Sequence, residues 1–247
     1  MSMIESNPNI NRGMLLGVTP AKVSDINDPE GMGRVKVEII NMGTKGQMTG
    51  FIRVASPMAG ENCGIQFLPS VGDEVLVAFC GDGMSQPYVI GSLYNNREGY
   101  KMPSPVKDGV NDIRMIKTKS GHTITFGDKK GEENIEIKSA KEMTIKIDDK
   151  ENSIKISDKE GKNLMTLNAA NGTISITADQ KLELKAAGSG ITMDNNGVQI
   201  KSGNKLEMEG SQVSVKGSAT VKVEANSKLD LTSSGQTNVG GSIVKVN

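Results

Sequence analysis

Residues 134–157 read NIEIKSAKEMTIKIDDKENSIKIS. They hold three doublets, Ile135/Ile137, Ile145/Ile147 and Ile154/Ile156, each a pair of aliphatic residues around one polar residue. Residues i and i+2 share one side of a β-strand but fall on opposite sides of a helix, so each doublet predicts a short strand with one apolar face. The pattern continues through Met165/Leu167, Ile174/Ile176, Leu182/Leu184, Ile191/Met193, Val198/Ile200 and Leu206/Met208. It ends with Val213/Val215, Val221/Val223 and Leu229/Leu231. First members are spaced 10, 9, 11, 9, 8, 9, 7, 8, 7, 8 and 8 residues apart, so the repeat shortens and settles near eight. Gly, Asn, Ser, Asp and Lys between the doublets turn the chain at each corner. Two apolar residues per repeat cannot close a core alone, so burial must come from neighbours. One chain coiling into a three-sided β-helix would supply them. So would three identical chains intertwined as a triangular prism, each passing its repeats in rotation to the three faces. The spacing does not choose between the two.

The front of the chain has a different character. All seven aromatics lie at or before Phe126 and the last proline is Pro105, which leaves 121 residues with neither. Met14–Val18, Gly33–Ile40, Phe51–Ala55, Glu74–Cys80 and Tyr88–Leu93 are rich in Val, Ile and Phe and are separated by Gly, Pro, Asn and Asp, which predicts five short strands. Five strands in so short a stretch suit a small closed barrel of the oligonucleotide/oligosaccharide-binding (OB) type, with the aromatics expected mostly in its core. The fold class is therefore all-β, and Pro103-Ser104-Pro105 reads as a connector.

Composition limits the function. With 29 basic and 29 acidic side chains the formal charge is zero, which argues against a chain built to grip nucleic acid or anionic lipid. No apolar run is long enough to span a bilayer as a helix. Two cysteines, Cys63 and Cys80, without a CxxC exclude a disulfide scaffold or a cysteine-built zinc site, and both read as small buried residues. His122 is the one histidine and reads as a solvated turn residue. Asp148, Asp149, Glu151 and Asp158 lack calcium-loop spacing and read as corners, while Gly31-Met32-Gly33 lacks a third glycine and reads as a turn. No catalytic set, metal site or cofactor site can be assembled, so the expectation is a chain that is not an enzyme.

Against this background a resemblance stands out. Gly33-Arg34-Val35-Lys36-Val37, Arg53-Val54-Ala55-Ser56-Pro57-Met58-Ala59-Gly60 and the run from Gly64 through Gly72-Asp73-Glu74-Val75-Leu76-Val77 occur in order. Gly81-Asp82 and Pro87-Tyr88-Val89-Ile90-Gly91-Ser92-Leu93-Tyr94-Asn95 follow, and Ser120–Ile135 then leads into the doublets. The series resembles the contractile-tail spike family, which includes phage baseplate assembly protein V, the central spike of T-even phages and the VgrG spikes of type VI secretion.

The resemblance implies a homotrimer with an N-terminal OB-fold barrel followed by a C-terminal intertwined trimeric β-helix. Its boundaries would be an N-terminal segment 1–13, a barrel 14–100, a linker and lead-in 101–130 and a triple-stranded β-helix 131–247. All the doublet residues would then be trimer core. It implies assembly in the bacterial cytoplasm as part of a phage tail or extracellular contractile particle, with transient contact with a target envelope and no nucleic-acid partner. With about 13 residues ahead of the barrel, the baseplate hub would be a separate protein, approached through loops Glu61–Gln66 and Asp82–Gln86. No wall-cleaving domain fits between Asn95 and Ser120, and no effector is expected after Asn247. The terminal Gly240–Asn247 reads as a blunt last strand, so a PAAR-type tip protein is expected on Ile243 and Val246. The competing reading is a β-helical fibre that binds a receptor or glycan.

Overall fold

The computed structural model describes residues 17–40, 47–79, 86–97, 99 and 104–245. They form two compact units that divide at Arg114/Met115. The first unit contains β1 (Val18–Asp25), β2 (Lys36–Ile39), β3 (Gln47–Met48), β4 (Arg53–Val54), β5 (Ala59–Gly60), β6 (Cys63–Gly64), β7 (Glu74–Phe79) and β8 (Pro87–Leu93). The sheet order is β3-β2-β1-β7-β8-β4. Val35 and Ile52 exchange both backbone hydrogen bonds, at 3.0 and 2.8 Å, and so join its two ends. With the main strands β1, β2, β4, β7 and β8 counted one to five, the circuit runs 1-2-3-5-4-1. The third and fifth strands are parallel and the remaining ladders antiparallel. This is the closed five-stranded Greek-key barrel expected from the sequence.

The barrel core is purely aliphatic: Ala21, Val23, Val35, Val37, Ile39, Ile52, Val75, Val77 and Val89 are buried, with Val54 and Phe79 packed against them. Alternation explains the set, because β2 and β7 bury every second residue. Three sequence expectations are corrected here. The first strand runs from Val18 to Asp25 instead of ending at Val18. Pro20 sits inside this strand, and its carbonyl accepts the Ile40 N–H; Met14 lies outside the described residues. The aromatics are largely outside the core, with Phe67 and Tyr94 exposed and Phe51 and Tyr88 half-buried. Cys63 is exposed, because the β5–β6 hairpin is solvent-facing throughout; Cys80 lies outside the described residues.

The β1–β2 loop is tied by Asp28. Its carboxylate accepts the Glu30, Met32 and Arg34 N–H groups and two bonds from the Arg34 guanidinium, at 3.1 and 2.7 Å. Gly31 and Gly33 supply the left-handed conformations this tight loop needs, at φ 67° and 70°.

The short hairpin β9 (Val106–Lys107) and β10 (Val110–Asn111) turns on Asp108-Gly109, both at positive φ. A seven-stranded antiparallel meander follows: β11 (Ile113–Lys117), β12 (Thr123–Gly127), β13 (Asn134–Lys138), β14 (Thr144–Asp148), β15 (Ser153–Ser157), β16 (Leu164–Asn168) and β17 (Thr173–Thr177). A separate three-stranded sheet contains β18 (Lys181–Ala186), β19 (Ser189–Asp194) and β20 (Gly197–Lys201). Residues 202–245 form no strand.

Two differences from the sequence expectation follow. The ladder starts at Ile113 inside the expected linker, because Ile124/Phe126 is a doublet of the same kind as those after it. Between residues 123 and 177, each strand pairs with the next one in the chain instead of passing to another face.

The Arg34 guanidinium, helped by the three N–H groups, holds the Asp28 carboxyl well below its ordinary value of 3.8. A depressed carboxyl favours the native barrel fully above that ordinary value and loses its contribution as pH falls toward the native one. Thermal unfolding followed from about pH 6 to about pH 2 should therefore weaken on the acid side. Asp28→Asn should flatten that slope, and an unchanged slope would remove Asp28 from this role.

Candidate functional site

The cross-strand registers turn the doublets into two straight apolar columns. One contains Phe126, Ile135, Ile147, Ile154, Leu167 and Ile174, each directly opposite the next. The other contains Ile124, Ile137, Ile145, Ile156, Met165 and Ile176. Both columns lie on one face, because the two members of a doublet are two residues apart. The opposite face carries Glu136, Lys146, Lys155, Thr166 and Ser175 down its middle.

Exposure runs opposite to hydropathy. In β13–β16 the residues flanking and separating the doublets are half-buried or buried, while the doublet residues are exposed. Ile135, Ile147, Ile154 and Leu167 are 38–39% exposed and Ile174 reaches 68%. The polar face covers itself with its own long side chains and ion pairs, such as Lys146–Asp148 at 2.7 Å and Lys138–Glu136 at 3.3 Å. Among the described residues of this unit, the apolar face has no comparable cover. Contiguous apolar surface on the order of several hundred Å² marks an interaction surface.

Leu182/Leu184 and Ile191/Met193 repeat the arrangement, with Leu182 opposite Met193 and Leu184 opposite Ile191. On β20, Val198 and Ile200 continue it, opposite Met193 and Ile191 respectively. The sequence reading places Val198 and Ile200 in a core, yet within the single chain both are more than half exposed. The reason is their position: β20 is an outer strand of its sheet, and among the described residues of this unit no layer covers its apolar side. Past Lys201 the strands stop but the alternation does not. Ion pairs two residues apart join Lys205 to Glu207, Lys222 to Glu224 and Lys228 to Asp230, which places both charges of each pair on one side. Leu206, Met208, Val213, Val215, Val221, Val223, Leu229, Leu231 and Ile243 are likewise more than half exposed. Val246 lies outside the described residues.

The corners are tied along both edges of the meander. Asp149 and Ala169 donate backbone N–H groups to the Glu133 and Asn152 carbonyls on one edge. On the other edge, Ala140 donates to His122 Nδ1 at 3.1 Å and Asp179 donates to Asn163 Oδ1 at 3.2 Å. His122 is thus an exposed corner acceptor. Asp158 holds the Lys162 and Asn163 N–H groups, and Asp148 holds that of Glu151, so these acids are turn caps. Lys181 and Lys185 flank Glu183 and pull its carboxyl down to about 2. Among the described residues no group of three or more His, Cys, Asp or Glu could hold a metal ion, and no helix is long and apolar enough to cross a membrane. Of the expected hub-facing loops, Glu61–Gln66 is exposed and includes β6, while most of Asp82–Gln86 lies outside the described residues.

Residues 19–94 match the family described as the type VI secretion system/phage-baseplate injector OB domain. The chain is 32% identical over 122 residues to the type VI secretion system spike protein VgrG5 of Pseudomonas aeruginosa, an alignment covering 47% of this chain and 15% of that protein. It is 28% identical over 106 residues to the spike protein VgrG1b of the same organism, covering 41% of this chain and 14% of that one. A third spike protein there, VgrG1a, is 29% identical over 92 residues, covering 35% of this chain and 14% of its own length. The chain therefore spans about one-seventh of the length of these relatives.

If the columns are covered by other chains, Ile174→Lys should cost about 3–5 kcal/mol per chain, since it buries an unpaired charge. Ser175→Lys, on the opposite face, should stay within about 0.5 kcal/mol. Equal thermal stability of the two variants would contradict the inward assignment of Ile174.

Proposed function

We propose that this chain, a member of the VgrG-like injector spike family, is the trimeric central spike of a contractile injection system. It links a baseplate hub to a tip and is driven through the target cell envelope. The observation that carries the reading is the pair of exposed apolar columns on an otherwise hydrogen-bonded meander. A sheet with one apolar face needs a second layer before it is stable. Three copies turned inward supply that layer for one another, and threefold symmetry makes each face identical. Covering even six aliphatic side chains recovers on the order of 10 kcal/mol, comparable with the whole stability of a typical domain.

The strandless stretch 202–245 fits the same reading. It keeps strand alternation and the eight-residue spacing without in-chain ladder partners, as expected where the partners are the other two copies. The mechanical role follows from the bonding. A column whose backbone groups are laddered and whose apolar side chains are sealed inside resists bending, and its charged exterior stays wetted as it moves. At the far end, Ile243 presents an apolar surface, and a PAAR-type protein is the proposed cap over Ile243 and Val246. No step in this role calls for catalysis.

The test is complementation in a bacterium that makes the contractile particle but lacks this chain. The wild-type chain should restore tip density, a co-purifying PAAR-type protein and killing of target cells. Ile154→Asp should restore none of these, while Ile243→Asp should keep the spike and lose the cap. Particles that assemble and kill equally well without the chain would refute the proposal.

A further inference from the structure

The barrel carries a second feature that the spike role does not use. A cleft of about 620 Å³ opens on it, lined among others by Arg34, Gln47, Phe51, Arg53, Gln86 and Tyr88. It spans β2 to β4 and the loops before β2 and β8, the side of a five-stranded barrel of this topology that takes up oligonucleotides and oligosaccharides.

Its chemistry separates those two ligand classes. Two of its three aromatic rings, Phe51 and Tyr88, are paired with cations: Lys36 Nζ lies 4.5 Å from the Phe51 ring centre, and the Arg53 guanidinium lies 4.8 Å from that of Tyr88. Arg34 is neutralised by Asp28 and Glu30, and Lys36 is paired with Asp25. Arg53 donates to the Tyr88 hydroxyl at 2.8 Å and has no carboxylate partner among the described residues. One uncompensated guanidinium falls far short of the row of cations that nucleic-acid affinity requires. It is the right donor for a single carboxylate, which it can hold in a two-pronged, charge-assisted bond. The Gln47 and Gln86 amides on the lining offer donors and acceptors suited to hydroxyls. Rings with an apolar body and a polar edge suit the face of a sugar.

We propose that this cleft binds an acidic oligosaccharide, with the carboxylate on Arg53 and a sugar ring against Tyr88. The proposal uses barrel residues alone, so it stands or falls independently of the ladder's assembly state.

Titration calorimetry on the full chain tests it with four probes: tetragalacturonate, its neutral counterpart cellotetraose, an oligothymidylate and hexaglutamate. Tetragalacturonate should bind more tightly than the other three. Arg53→Ala and the longer-stemmed Arg53→Gln should both weaken it about tenfold or more. Neither should change the weak binding of cellotetraose, and Tyr88→Ala should weaken both sugars. No binding of tetragalacturonate, indifference to both Arg53 variants, or equal or tighter binding of the oligothymidylate or hexaglutamate would overturn the proposal. A trimer that fails to form while tetragalacturonate still binds would refute the spike reading and leave this one intact.

Discussion

A β-meander whose one face is aliphatic and open to water is an incomplete structure. The hydrogen bonds of the ladder from β12 to β17 are satisfied within the chain, and the polar face shields itself with its own side chains and ion pairs. The two columns from Ile124 to Ile176 have neither advantage, because their remaining demand is for apolar cover. Everything proposed about assembly follows from that one unmet demand. It needs a partner surface that is aliphatic, narrow and of the same repeat, and an identical chain meets all three conditions.

The two units solve the burial problem differently. The barrel closes on itself through the Val35–Ile52 bridge and hides nine small aliphatic residues. Its aromatics are thereby released to the surface, where Phe51 and Tyr88 line a cleft with Arg53. The ladder has no such closure and no aromatic beyond Phe126 to thicken a core of its own. A thin, uniform aliphatic seam suits a shared axis, since the same side chain from each of three copies must meet at one level. The match of residues 19–94 to the injector OB-domain family and the likeness to VgrG spike proteins accord with the closed barrel.

Much of this was legible in the sequence, for definite reasons. The doublets announce strands because period two is the geometry of a strand. Ile135 opposite Ile147 and Ile137 opposite Ile145 are what regular spacing with short corners produces. The alternation Val35, Val37, Ile39 marked the barrel's buried face for the same reason. What was not legible depends on contacts distant in sequence. Apolar spacing is the same whether a strand pairs with its successor or passes to another face, so the in-chain meander could not be separated from the rotating arrangement. Spacing is equally silent on cover, which is why Ile200 reads as core and stands exposed on the single chain. The Arg53–Tyr88 pair joins residues 35 positions apart on parallel neighbouring strands, and only the closed barrel brings them together.

The central claim is that the apolar columns are covered by copies of this chain, and the solution mass of the purified protein tests it most directly. Light scattering should give about 79 kDa, three times the 26.2 kDa chain, at every concentration down to the lowest measurable. A stable, soluble species at 26.2 kDa that leaves both columns facing water would contradict the account.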